Sequence, residues 1–196
     1  MENAIMLPAK TKAQSTGQNS VLKKLYVNEL KTIYWVEKQM LKLLPGLRRA
    51  ATTRYLKASF TGHLLATQDH VKRIEEVFNL LNEKRATKKC SIINDIISEA
   101  KSRIKSTKKN TQPRDLELLS TAQKFEHYEI NVYRKLMRLA GVYGHQKIEA
   151  ILKETLIEEE EAQETFIAIE NDTLMDELFK VDDELAEDEC EAAEEE

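Results

Sequence analysis

The segment FEHYEI, Phe125 to Ile130, carries two carboxylates three residues apart, Glu126 and Glu129, with His127 beside the first. On a helix this spacing puts both carboxylates on one face, one turn apart, a geometry suited to holding a divalent cation. Other segments break their apolar stripes in a similar way. Glu126 and Glu129 fall in the seam Leu119, Ala122, Glu126, Glu129, Tyr133, Leu136, Ala140. Glu37 falls in Ile33, Glu37, Met40, Leu44, and Glu159 in Leu152, Leu156, Glu159, Gln163, Phe166. His63 and His70 fall in Leu56, Phe60, His63, Thr67, His70, Ile74. A lone buried carboxylate costs several kcal/mol unless it is neutralised or paired. Four that converge repel one another, so a bound pair of divalent ions is the economical explanation. Oxygen-rich sites with some imidazole suit iron or manganese, whereas zinc favours more Cys or His. The competing reading is a set of solvated helix faces, since Glu is rarely buried. A slip of one position would turn Glu158 inward in place of Glu159. His127, one residue off the seam, is expected at the periphery, and Tyr128 is expected to pack.

The elements that must position these residues follow from spacing and punctuation. With only 5 Gly and 3 Pro in 196 residues, the chain favours a few long helices over a turn-rich sheet. Apolar positions three and four apart predict long helices over about 20–50, 53–82, 113–141 and 145–178, with Ser20 as the first N-cap. Pro113 suits a first turn, and Gly141 and Gly144 bracket a tight turn. The links between the first two and the last two long helices are short, so each pair forms an antiparallel hairpin. The link between the hairpins contains a short amphipathic helix, SIINDIISEAKSRI, and is long enough to cross a bundle. Two hairpins joined by one long crossover form the ferritin-like arrangement of a four-helix bundle; an up-down-up-down bundle with a decorated loop is the alternative.

Composition excludes other classes. No apolar run approaches the roughly 18 residues of a membrane span, and the first 20 residues lack the apolar stretch of a secretion signal. Cys90 and Cys190 belong to no CxxC pair, which fits a reducing cytoplasm. The net charge of −4 is uneven: residues 180–196 hold 10 acidic residues and one Lys. The remainder has 29 Lys and Arg against 24 Asp and Glu, a net of +5. Residues 1–19 read as a mobile leader, 20–179 as the bundle and 180–196 as an acidic, disordered tail. The short basic stretches read as solvated helix ends and loops, not as a nucleic-acid site. There is no P-loop, no GxGxxG, no GxSxG and no nucleophile–histidine arrangement.

The segments LYVNELKTIYWVEKQMLKLLPGL, KKC, AQKFEHYEINVY and LKETLIEEEE, in that order and at these separations, resemble the YciE/YciF-like family of bacterial ferritin-like stress proteins. The resemblance spans about residues 21–170. It implies a ferritin-like bundle, a homodimer, and a two-metal carboxylate site whose residues match Glu37, Glu126, Glu129 and Glu159. It implies an association with stress responses and no assigned catalytic activity. Two positions depart from the family's pattern. The motif resembling HLEET reads HLLAT, which puts Ala66 where a Glu is expected, and Gln163 stands where an Asp is expected. His63 and His70, on the same face as Ala66, would partly compensate. The expectation is therefore a modified two-metal site, a one-metal site, or a metal-free structural or interaction protein, with iron or manganese as the cofactor in the first two cases. If metal is bound, the expected reaction is oxygen or peroxide chemistry.

Overall fold

The computed structural model describes the backbone of residues 12–194 and the side chains of residues 20–175. Five helices follow in order: α1 Lys12–Ala50, α2 Arg54–Leu80, α3 Ser91–Ser106, α4 Gln112–Val142 and α5 Gln146–Glu194. Their ends follow local chemistry. Thr53 caps α2, its side chain accepting a hydrogen bond from the Leu56 amide. Pro113 occupies the first turn of α4, where its missing N–H goes unused. At the other end of α4, Gly144 adopts φ +68 and the His145 amide returns to the Ala140 carbonyl at 2.9 Å. This closure absorbs orphan carbonyls of the last turn and reverses the chain into α5. Asn82, at φ 51, ends α2 in the same way, with the Glu83 amide on the Phe78 carbonyl.

The short link 51–53 and the reversal at Gly144 make α1–α2 and α4–α5 antiparallel hairpins. α1 packs on α2 and α4, and α5 packs on α2 and α4. The connection 81–111 carries the chain from the C-terminus of α2 to the opposite end of the bundle. Along the way the Lys88 amide bonds the Lys31 carbonyl of α1, and α3 lies against α4. The arrival is fixed by the buried Asp115, whose carboxylate accepts from the Thr52 amide at 2.6 Å and the Thr53 amide at 3.0 Å. One side chain thereby ties the start of α4 to the α1–α2 turn. The result is the ferritin-like bundle expected from the connection lengths.

Both outer boundaries differ from expectation. α1 begins at Lys12, so Ser20 lies within the helix and does not cap it, and residues 12–19 are helical in backbone. α5 continues through Glu194, into the segment expected to form a disordered tail. Residues 180–194 are mostly Glu, Ala and Leu, strong helix formers; residues 12–19 mix Lys, Ala and Gln with the weaker Ser, Thr, Gly and Asn, and neither stretch contains a proline. Residues 1–11 and 195–196 lie outside the described residues.

The core is a continuous column of Leu30, Ile33, Leu44, Leu56, Phe60, Phe78, Leu119, Phe125, Leu136 and Phe166, each no more than 1% exposed. Burial of this kind stabilises by roughly 1.5–3 kcal/mol per large apolar side chain. Near the middle of the long helices the column gives way to a cluster of buried carboxylates and imidazoles.

Candidate metal centre

The six candidate ligands read from the seams, Glu37, His63, His70, Glu126, Glu129 and Glu159, point inward, whereas Gln163 of the α5 seam is only partly buried. Glu126, Glu129, Glu159 and His70 are 0% exposed, Glu37 is 1% and His63 is 7%. Helical periodicity sets this outcome. Glu126 and Glu129 are one turn apart on α4, His63 and His70 are two turns apart on α2, and Glu37 and Glu159 face them from α1 and α5.

The six form two clusters that share one carboxylate. His63, Glu126, Glu129 and Glu159 each offer a ligand atom, all within 4.8 Å of one another. Glu37, His70 and Glu159 do the same. His63 Nε2 lies 3.2 Å from Glu126 Oε1. His70 Nδ1 lies 3.0 Å from Glu159 Oε1 and 3.5 Å from Glu37 Oε1. His70 Nε2 faces outward, 2.8 Å from Glu158 Oε2. Glu158 in turn accepts two bonds from Arg73, at 2.6 and 2.8 Å, and Arg73 also bonds Glu154. The Tyr133 hydroxyl donates to Glu37.

Protonation follows from this crowding. Burial first, then the charges of neighbouring glutamates, hold Glu126 and Glu129 well above the usual carboxylate range. Glu37 is raised as well, chiefly by burial and against the pull of His70. Burial also opposes ionisation of Glu159, but its hydrogen bond and charge interaction with His70 win and hold it below the usual range. His70 is its counterpart: burial disfavours the imidazolium, yet Glu37 and Glu159 raise it to about 11. Burial lowers His63. Without a cation, the site is therefore one His70–Glu159 ion pair beside protonated acids.

The donor set fits a divalent cation. Both oxygens of Glu126, Glu129 and Glu159, together with His70 Nδ1, are buried with no aligned hydrogen-bond partner. Buried polar atoms without partners are costly and rare. Seven of them on two facing clusters, all oxygen and imidazole nitrogen, form a ligand set that iron or manganese would satisfy.

The off-seam residues His127 and Tyr128, and Gln163 at the edge of its seam, behave differently. His127 is exposed, and its Nδ1 lies 3.1 Å from Gln163 Nε2 at the bundle surface. Tyr128 is partly buried against the core, its hydroxyl accepting from Cys90 Sγ at 3.3 Å. Ala66 lines a cleft beside His63. Seam reading did not reveal three contributors. Glu158 and Arg73 sit on helix flanks, where charge is ordinary and pattern carries no signal. Tyr133 lies in the seam but reads there as an apolar ring.

Comparisons with known proteins match the sequence and the fold. Residues 21–178 fit the family model described as a domain of unknown function, DUF892. Protein YciF of Escherichia coli K12 is 39% identical over 151 residues, spanning 75% of this chain and 90% of that protein. The crystal structure of the E. coli stress protein YciF superimposes with a TM-score of 0.74 at 34% identity, covering 78% of this chain and 96% of that one. YcfI of Rhodopseudomonas palustris, described as a candidate structural protein, gives 0.71 at 32% identity over 74% and 92% of the two chains. A protein of Xanthomonas campestris shares the fold, with a TM-score of 0.64 at 21% identity over 82% and 99%. The chain belongs to the DUF892 family and is a YciF-like, ferritin-like helical protein.

Proposed function

We propose that this YciF-like protein binds divalent iron or manganese at its bundle centre and serves in stress protection through that site. The observation that carries the reading is the group of buried oxygens of Glu126, Glu129 and Glu159, which have no aligned hydrogen-bond partner and lie against the imidazoles of His63 and His70. His63, Glu126 and Glu129 would hold one ion, Glu37 and His70 a second, with Glu159 between them. A bound iron or manganese pair would supply redox chemistry toward oxygen or peroxide.

The protein's own residues prepare this site. Glu158 accepts from His70 Nε2, which fixes the ring and leaves Nδ1 directed at Glu159. Arg73 holds Glu158 in turn. The Tyr133 hydroxyl orients Glu37. Phe60 and Phe166 pack together beside His63, and the carboxylates, each at most 1% exposed, sit in a poorly hydrated environment that strengthens attraction to a cation.

The test is aerobic reconstitution with iron(II), and separately with manganese(II), followed by desalting and metal analysis. Wild type is expected to retain metal, and Glu126→Ala plus Glu159→Ala to lose it. A wild type that retains neither metal under oxidising or reducing conditions overturns the reading. That outcome would favour the second one, a metal-free structural bundle, to which Ala66 and Gln163 already lean by adding no carboxylate to the site.

A further inference from the structure

α2 and α5 part beside the buried cluster, leaving a cleft of about 320 Å³ open to solvent. One wall is made by Gly62, His63 and Ala66, the other by Glu161, Ala162 and Phe166. His63 belongs to both environments. Its ring lines the cleft, yet it is 93% buried, and its Nε2 lies 3.2 Å from Glu126 Oε1 inside the core. Behind it stand carboxylates whose oxygens have no aligned hydrogen-bond partner. The remaining cluster residues, Glu37, His70, Glu126, Glu129 and Glu159, are each at most 1% exposed. His63 is therefore the only cluster residue among those lining the cleft; His70 meets it only through Glu158.

The cleft is open because its walls are small. A Cβ added at Gly62 would meet nothing within 4 Å. Ala66 and Ala162 likewise place a methyl group where a longer side chain would fill the space. Its charge is selective. The Glu158 carboxylate is compensated by Arg73 and His70, whereas Glu161 is exposed and forms no ion pair among the described residues. A negative mouth draws in cations and repels anions.

We propose that this cleft is the entry route for divalent cations, with Glu161 attracting the ion at the mouth and His63 passing it to Glu126. The proposal rests on the metal-binding reading above. It makes the loading rate depend on residues outside the clusters and the final occupancy depend on residues within them.

Cobalt(II) uptake by the chelator-treated full chain, followed by visible absorption in stopped flow, tests the route. Filling the cleft in Ala66→Leu plus Ala162→Leu is expected to slow uptake by about ten-fold, at the low end of what an electrostatically favoured path contributes to an on-rate. Saturating occupancy should be unchanged. Glu161→Gln, isosteric and on the surface, is expected to slow uptake several-fold at low salt and not at high salt. Glu164→Gln, exposed on the same helix, is expected to load like the wild type. If the wild type binds cobalt and both cleft variants load at its rate, the route is overturned and the metal reading stands. A wild type that binds no cobalt overturns both.

Discussion

Glu158 Oε2 lies 2.8 Å from His70 Nε2, while its sequence neighbour Glu159 faces the opposite nitrogen of the same ring at 3.0 Å. Adjacent carboxylates on α5 thus hold one imidazole from its two edges. Only one of them reaches the buried centre. The outer contact, braced by Arg73, sets the ring's orientation for the inner one.

Removal of that brace should therefore be felt by the metal. Glu158→Ala is expected to weaken binding by about 10–100-fold, the usual loss when the partner of a ligating histidine is removed. Competition with a chromophoric chelator measures it. Unchanged affinity would show that His70 is oriented by packing alone.

The cluster should also cost the metal-free protein stability. In Glu126→Met plus Glu129→Met, two crowded acids are replaced by apolar side chains of similar volume. Each buried acid without an aligned hydrogen-bond partner carries a desolvation cost of about 1–3 kcal/mol, which the exchange removes. Urea denaturation in the presence of chelator should show a gain of this size, while metal retention is lost. Destabilisation of the double variant would mean that these acids hold the core together without a cation.

Stability of the metal-free form should fall as pH rises from 7 to 9. Burial and neighbouring glutamates hold Glu126 and Glu129 well above their ordinary value of 4.5, so both favour their protons more strongly in the folded chain than in the unfolded one. His70 keeps its proton up to about 11 when folded, against 6.5 when unfolded. In this window the folded state binds more protons, so the contribution is complete at lower pH and is lost as pH rises through the folded values. Glu159 and His63 are shifted downward, and their contributions change below this window. Thermal melts with chelator should show the decline, and Glu126→Met plus Glu129→Met should make it shallower, leaving the share that His70 contributes. A flat wild-type profile would contradict the protonation pattern.

Asp115 offers a test independent of metal. Its buried carboxylate accepts from two amides of the α1–α2 turn. Charge-assisted bonds of this kind contribute about 1.5–3 kcal/mol each, and removing the acceptor strands both donors. Asp115→Ala is expected to lower unfolding free energy by about 2–4 kcal/mol in urea titrations. A loss below about 0.5 kcal/mol, the range of ordinary surface changes, would show that water replaces the carboxylate.

How far these features could be read from sequence depended on which force sets each one. The inward positions of Glu37, His63, His70, Glu126, Glu129 and Glu159 follow from the 3-and-4 spacing of their apolar neighbours, which fixes a helix face before any contact is known. The two hairpins and the crossover followed from connection length and from Gly144. Asp115 and the Arg73–Glu158 pair were not legible, because a charge in a first turn or on a flank looks the same whether it meets solvent or another helix. The outer ends of α1 and α5 were misplaced for a related reason. Apolar periodicity marks where a helix is buried, and a helix can continue beyond that point.

The sharing of Glu159 between the two clusters has a thermodynamic corollary. Two ions that draw on one carboxylate cannot bind independently: whatever factor the first imposes on the affinity of the second, the second imposes on the first. The bundle centre would then titrate as one linked system, and a change on the His63 side would be registered on the His70 side without any helix having to move.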